Sequence, residues 1–78
     1  MSVQPSATMH GMLGNRVSVW LMRETDIRVE GLLRGYDEYY NLVLDDSVEV
    51  DTKTSAKQEI GTIVLKGDTV GLVHAVAV

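Results

Sequence analysis

The sequence predicts an all-β domain, in which a short N-terminal helix sits on a strongly bent five-stranded antiparallel sheet, a small open barrel. Three observations carry this. From Arg16 onward apolar residues recur with period two, the mark of strands rather than helices. Polar segments suited to turns divide that stretch at short intervals: Arg23–Asp26, Asp37–Tyr40, Asp51–Lys57 and Lys66–Asp68. Gly31 and Gly35 interrupt the second apolar run, where a bent sheet needs kinks and a flat sheet does not.

The first fifteen residues differ from the rest. Met9, Met12 and Leu13 fall at helical spacing, Pro5 suits a first helical turn, and Gly14-Asn15 stops the helix. With Gly11 inside it, such a helix is too short to stand without packing on the sheet. Residues 1–15 are therefore read as a helical extension and residues 16–78 as one domain. In RVSVWLM, Val17, Val19 and Leu21 share one face, leaving Trp20 with Ser18 and Met22 on the other, to cover the barrel or helix or to sit in an interface. In DIRVEGLLRG, Ile27, Val29 and Leu33 point inward while Arg28, Glu30 and Arg34 face away. In NLVLDDSVEV, Leu42, Leu44, Val48 and Val50 are expected to line up. The last two runs, EIGTIVL and TVGLVHAVAV, carry apolar residues on both faces. Both strands could be central in a monomer, although five strands still leave two edges unless the barrel closes. An open edge of that composition is an aggregation hazard, and head-to-tail pairing with neighbouring subunits, in a ring or filament, removes it.

Size points the same way. A chain of 78 residues holds one small domain, and a domain of this size buries only about 60% of its unfolded surface. With no cysteine there are no disulfides, no thiolate zinc sites and no cysteine nucleophile, which fits a reducing compartment. His10 and His74 lack any metal-ligand spacing, and no cofactor is implied. No stretch is long and apolar enough to span a membrane, and MSVQPSATMHG lacks the build of a secretory signal, so a cytosolic or nuclear protein is expected. The net charge of −4 and pI near 4.9 count against a free-standing, charge-driven nucleic-acid binder.

The stretch GYDEYYNLVLDD, residues 35–46, concentrates the polar chemistry. Asp45 and Asp46 are adjacent on a strand and point to opposite faces, so they do not form a catalytic pair. Asp37 and Glu38 lie in a turn with no histidine, serine–base couple or phosphate loop beside them, and no enzyme is expected. Asp and Asn suit a turn because their side chains bond the local backbone. Two consecutive tyrosines exceed what a turn requires. An exposed aromatic beside an asparagine amide also fits a base reader, with the ring stacking and the amide giving a donor and an acceptor. On the residues alone both readings stand.

GLLRGYDEYYNLVLDD resembles the first motif of the Sm family: a strand glycine, an aspartate, an aromatic two positions on, an asparagine two further, then an apolar strand. IGTIVLKGDTV resembles the second, in which a basic residue and a glycine stand between two apolar strands. The motifs come in the family's order, and with VQP near the start and NRVSVWL in the first strand the likeness spans nearly the whole chain. Departures are Lys66 where arginine is common, Tyr40 where methionine is frequent, a helix poor in large apolar residues, and a middle loop less basic than usual.

The resemblance implies the Sm fold and a ring of seven related subunits, the fifth strand of one pairing with the fourth of the next. It implies a uridine-rich single-stranded site in small nuclear RNA at the ring's centre, and a non-catalytic role in the spliceosomal core for pre-mRNA splicing. Carried over residue by residue, Tyr39 stacks on a base, Asn41 bonds its edge, and Asp37 holds the loop and the asparagine. Lys66 lies across the base and Gly67 lets the backbone approach closely. The implied neighbours are Sm F and Sm G, and the implied location is the nucleus with assembly in the cytoplasm. Neighbours supplying positive charge would reconcile an acidic subunit with RNA. Two rival readings are a subunit of a Sm-like ring in messenger RNA decay and a structural ring component with an idle pocket.

Overall fold

The computed structural model describes residues 5–76. Val3 and Gln4, part of the N-terminal likeness, and Ala77 and Val78 of the expected last strand lie outside them. The elements in chain order are α1 (Pro5–Met12), β1 (Arg16–Leu21), β2 (Ile27–Tyr36), β3 (Leu42–Asp51), β4 (Lys57–Leu65), a 3-10 turn (Gly67–Thr69) and β5 (Val70–Ala75). All pairings are antiparallel, in the order β4-β3-β2-β1-β5. Helix, strands and turns fall where the periodicity and turn residues place them.

One short helix of eight residues is marginal in water, and tertiary contacts hold it. Met9 is only 4% exposed and joins the core, with Met12 and Leu13 packed against it. Burying a methionine side chain contributes roughly 1.5–3 kcal/mol. Past the helix the chain turns through Gly14, at a φ of 81°, and pairs at once with β2. The Gly14 N–H donates to the Leu33 carbonyl at 2.9 Å, and the Leu33 N–H to the Asn15 carbonyl at 3.0 Å.

The core gathers Met9, Val17, Val19, Val29, Leu33, Leu42 and Leu44 on the concave side of the sheet. Bending occurs where β2 and β3 slip out of register, between Glu30 and Leu32 and again between Leu33 and Gly35. At Gly31 the two strands press together: a Cβ there would lie 2.7 Å from the Ser47 hydroxyl oxygen and 3.1 Å from the Asp45 carbonyl oxygen. A side chain at that position has no room, which explains the first strand glycine.

The expected line of Leu42, Leu44, Val48 and Val50 is not observed. Leu42 and Leu44 enter the core, but β3 carries a bulge at Asp46, whose φ is 50°. The extra residue reverses the facing of the rest of the strand. Val50 stands in a row with Arg28 and Trp20 on the outer face, and Val48 in a row with Glu30 and Ser18. Val50 is still 2% exposed, so this part of the outer face is covered rather than open. Trp20 lies there too: its Nε1–H donates to His74 Nε2 at 3.2 Å, and the Arg28 guanidinium is 5.8 Å from its ring centre. Arg28 in turn pairs with Glu30 at 2.6 Å.

β4 and β5 form the two edges of the sheet, and among the described residues nothing pairs with their outer sides. Val64 on β4 and Leu72 on β5 stay 64% and 59% exposed. The edge liability expected from the sequence is real in the isolated chain.

Candidate nucleic-acid interface

The loop from β2 to β3 is built by Asp37. Its main chain closes a three-residue turn: the Tyr40 N–H donates to the Asp37 carbonyl at 3.1 Å, and the Asp37 N–H to the Asn41 carbonyl at 3.2 Å. Its carboxylate closes the turn a second time from inside. Oδ1 accepts the N–H groups of Tyr39 at 2.9 Å and Asn41 at 3.0 Å, and Oδ2 accepts the Asn41 side-chain Nδ2–H at 2.9 Å. These bonds, the Asn41 side chain foremost and then the backbone amides of Asn41 and Tyr39, hold the Asp37 carboxyl below its ordinary range. An aspartate so engaged is an ionised staple of the loop.

Asn41 carries the connection onward. Its Oδ1 accepts the backbone N–H of Gly67 at 2.9 Å, so one side chain ties the two motif loops together across 26 positions. An amide with one N–H and one lone pair so used has one of each left for a ligand. The second loop is fixed from its own side by the Lys66 carbonyl, which accepts the Thr69 N–H at 2.9 Å and the Thr69 hydroxyl at 2.7 Å. Gly67 packs so closely that a Cβ would run into the Tyr39 carbonyl oxygen. Gly67 is thus packed directly against the neighbouring loop.

Between the loops lies an open groove of about 950 Å³, lined by Tyr39, Asn41, Lys66 and Gly67, with Asp37 at its edge. Tyr39 is 73% exposed, its ring unspent on packing. Lys66 is exposed, and among the described residues it pairs with no carboxylate. An open aromatic face, a half-used amide and a free cation around one groove can take a planar, polar-edged group next to negative charge. All five residues singled out in the sequence are brought together. Sequence reasoning missed Tyr36, Val43, Val64 and Asp68, which together with Gly35 complete the lining. Val43 and Val64 are register partners across β3 and β4, and strand periodicity alone does not show that their shared face opens into the groove.

Tyr40 has the other fate open to a tyrosine in this loop. It sits at a φ of 64° and packs against the core beneath the loop. A left-handed backbone costs a residue with a Cβ roughly 1–2 kcal/mol.

Comparison with known proteins gives these features a lineage. The LSM domain model matches residues 8–75. The chain is 53% identical over 60 residues to small nuclear ribonucleoprotein E of Schizosaccharomyces pombe, covering 77% of this chain and 70% of that protein. Its fold superposes on a heptameric archaeal Sm protein with a TM-score of 0.82 at 30% identity, covering 91% of this chain and 98% of the other. It matches a Pyrococcus abyssii Sm protein, solved in complex with a uridine heptamer, with the same TM-score and identity, covering 95% of this chain and 100% of that one. With two linked motif loops, a bent sheet and a family match over nearly its full length, this chain belongs to the LSM-domain family of Sm and Sm-like proteins.

Proposed function

We propose that this chain is the E-type subunit of a seven-membered Sm ring in the core of spliceosomal small nuclear ribonucleoproteins. It binds one nucleotide of a uridine-rich single-stranded site in small nuclear RNA, as a non-catalytic scaffold for pre-mRNA splicing. The chain divides into an N-terminal extension, residues 1–15, which carries the helix Pro5–Met12, and the ring-forming Sm domain from residue 16 onward. Sm F and Sm G are its neighbours, assembly takes place in the cytoplasm and the mature particle works in the nucleus.

The observation that carries this reading is the chain of bonds from Asp37 through Asn41 to Gly67, which presents Tyr39 and Lys66 around one groove. Uracil is a planar ring whose edge offers an N–H donor flanked by carbonyl acceptors. The remaining lone pair and N–H of Asn41 match such an edge, Tyr39 offers a stacking face, and Lys66 faces the phosphate or the far side of the base. Base–aromatic stacking contributes roughly 1–3 kcal/mol per base, too little for one acidic subunit alone and useful when repeated around a ring. The two open edges, with Val64 and Leu72 exposed on them, are the surfaces that ring closure covers. No helix among the described residues is long and apolar enough to cross a membrane.

The test is to purify the tagged protein from its own cells and sequence the RNA that accompanies it. Small nuclear RNAs sharing a uridine-rich single-stranded tract are expected. Fragments of decaying messenger RNA would instead assign the chain to a Sm-like decay ring. In the assembled ring, Tyr39→Ala with Asn41→Ala should lower crosslinking of RNA to this subunit while the ring persists. Unchanged crosslinking would leave the pocket idle and the subunit purely structural.

A further inference from the structure

Three-residue hairpin loops place their last residue in the left-handed region, where glycine or asparagine is at ease. Here that position is Tyr40, with a φ of 64° and its ring packed against the hydrophobic core. Its sequence neighbours are the two groove residues. Tyr39 turns its ring out to 73% exposure, and Asn41 spans to Gly67. The loop is held at one side by the Asp37 carboxylate and on another by Gly67, seated against the Tyr39 carbonyl. Tyr40 is what holds it from beneath. A glycine would adopt the same backbone without strain and remove the hold from beneath, leaving only the Asp37 and Gly67 contacts, so the strained tyrosine is a choice of anchorage over ease.

We propose that Tyr40 is a positioning residue for base recognition: its core-packed ring fixes the loop tip, so that Tyr39 and Asn41 stand at the groove before RNA arrives. The inference rests on the base-binding reading of the groove. Its physical basis is preorganisation, since a loop already ordered loses less freedom when the base binds.

Amide hydrogen exchange and crosslinking to a uridine-rich RNA containing 4-thiouridine, both on the full chain in its assembly, test this together. In Tyr40→Gly the Tyr39 and Asn41 amides, which bond Asp37, should exchange about tenfold faster. Crosslinking to this subunit should fall about fivefold in the same variant. Tyr40→Phe should restore both, because the ring and not the hydroxyl is the anchor. Tyr39→Ala, the control, should lower crosslinking while the Asn41 amide stays protected. If Tyr40→Gly does not assemble, Tyr40→Asn, which tolerates positive φ, carries the same expectations. Unchanged exchange overturns the inference, as does faster exchange with full crosslinking when Tyr39→Ala reduces it. Full crosslinking in Tyr39→Ala as well overturns the base-binding reading itself, and the exchange result then reports on the loop alone.

Discussion

Two loops leave opposite ends of β3, and they start from the same chemistry. At one end the Asp37 Oδ1 accepts the N–H groups of Tyr39 and Asn41; at the other the Asp51 Oδ1 accepts those of Lys53 at 2.8 Å and Thr54 at 3.2 Å. Each loop also holds a non-glycine residue in the left-handed region, Tyr40 at 64° and Ser55 at 63°. They differ in what lies beyond the turn. Asp37 uses its second oxygen to hold Asn41, which reaches Gly67 in another loop, and Tyr40 is rooted in the core. Ser55 is exposed, and the Asp51 loop reaches only the Asp26 turn, through Thr52 N–H and hydroxyl bonds to its carbonyl and a 3.3 Å Lys53–Asp26 ion pair. An aspartate turn is common in β-proteins. Both turns are tied to a second loop; what sets the Asp37 end apart is an aromatic left exposed and an amide that bridges to Gly67 with a donor and an acceptor still unspent.

Substitutions that test this contrast should differ in size. The largest effect is expected at Gly67→Ala, where the new methyl meets the Tyr39 backbone and neither loop can yield without losing the Asn41 bridge. Overpacking of this kind should cost about 2–3 kcal/mol, which thermal unfolding would show as a fall of about 10 °C or more in Tm for a domain this small. A near-unchanged Tm would mean the loops are not rigidly seated on one another.

Asn41→Ala comes next, because it leaves the Gly67 N–H and the Asp37 Oδ2 without their partners. Urea unfolding should show a loss of about 1–2 kcal/mol. The same variant sharpens the contrast through pH. The Asp37 carboxyl titrates below its ordinary value of 3.8 in the folded chain, chiefly because of the Asn41 amide. A carboxylate lowered on folding stabilises above its unfolded pKa, and that contribution fades as pH falls from about 3.8 through the folded value. Wild type should therefore lose stability more steeply than Asn41→Ala on acidification through that range. Parallel acid limbs in the two proteins would remove Asn41 as the cause.

Smaller effects are expected at the far loop. Ser55→Gly removes a left-handed strain with no anchored side chain to lose, and should raise stability by about 0.5 kcal/mol. RNA crosslinking should stay as in wild type; a change there would show that the two loops are coupled after all. The smallest effect belongs to Lys53→Ala. Its ion pair with Asp26 joins two well-exposed side chains, and the unfolding midpoint should move by less than about 0.5 kcal/mol equivalent.

How far the sequence could be read depended on the range of the interaction. Strand alternation is local, so the core positions Val17 and Val19 of β1 and Val29 and Leu33 of β2 were legible, as were the turn residues and the stop at Gly14. The face reversal in β3 was not. It hangs on one bulged residue, Asp46, and the sequence DDS does not announce a positive φ there. The aromatic and amide of the groove were legible as a pair because the first motif carries both at fixed spacing. The apolar wall of Val43 and Val64 was not, since it takes form only when β3 and β4 pair.

What the sequence by itself determined is therefore the class of domain, set by periodicity and short-range turn chemistry, and the residue types at the groove, set by the motif spacing that carries the family resemblance; which strands are edges was left to the sheet order. Only the tertiary structure decided what those residues bond to. It bonded the Gly67 N–H to Asn41, packed Gly67 against the Tyr39 backbone, and sent one tyrosine to the core and its neighbour to the groove. The reason is physical: two loops far apart in the chain meet because β3 pairs with both β2 and β4, which sets Leu42 opposite Tyr36 on one side and Leu65 on the other. Hydrogen bonds a few ångströms long cannot be allotted until that pairing exists.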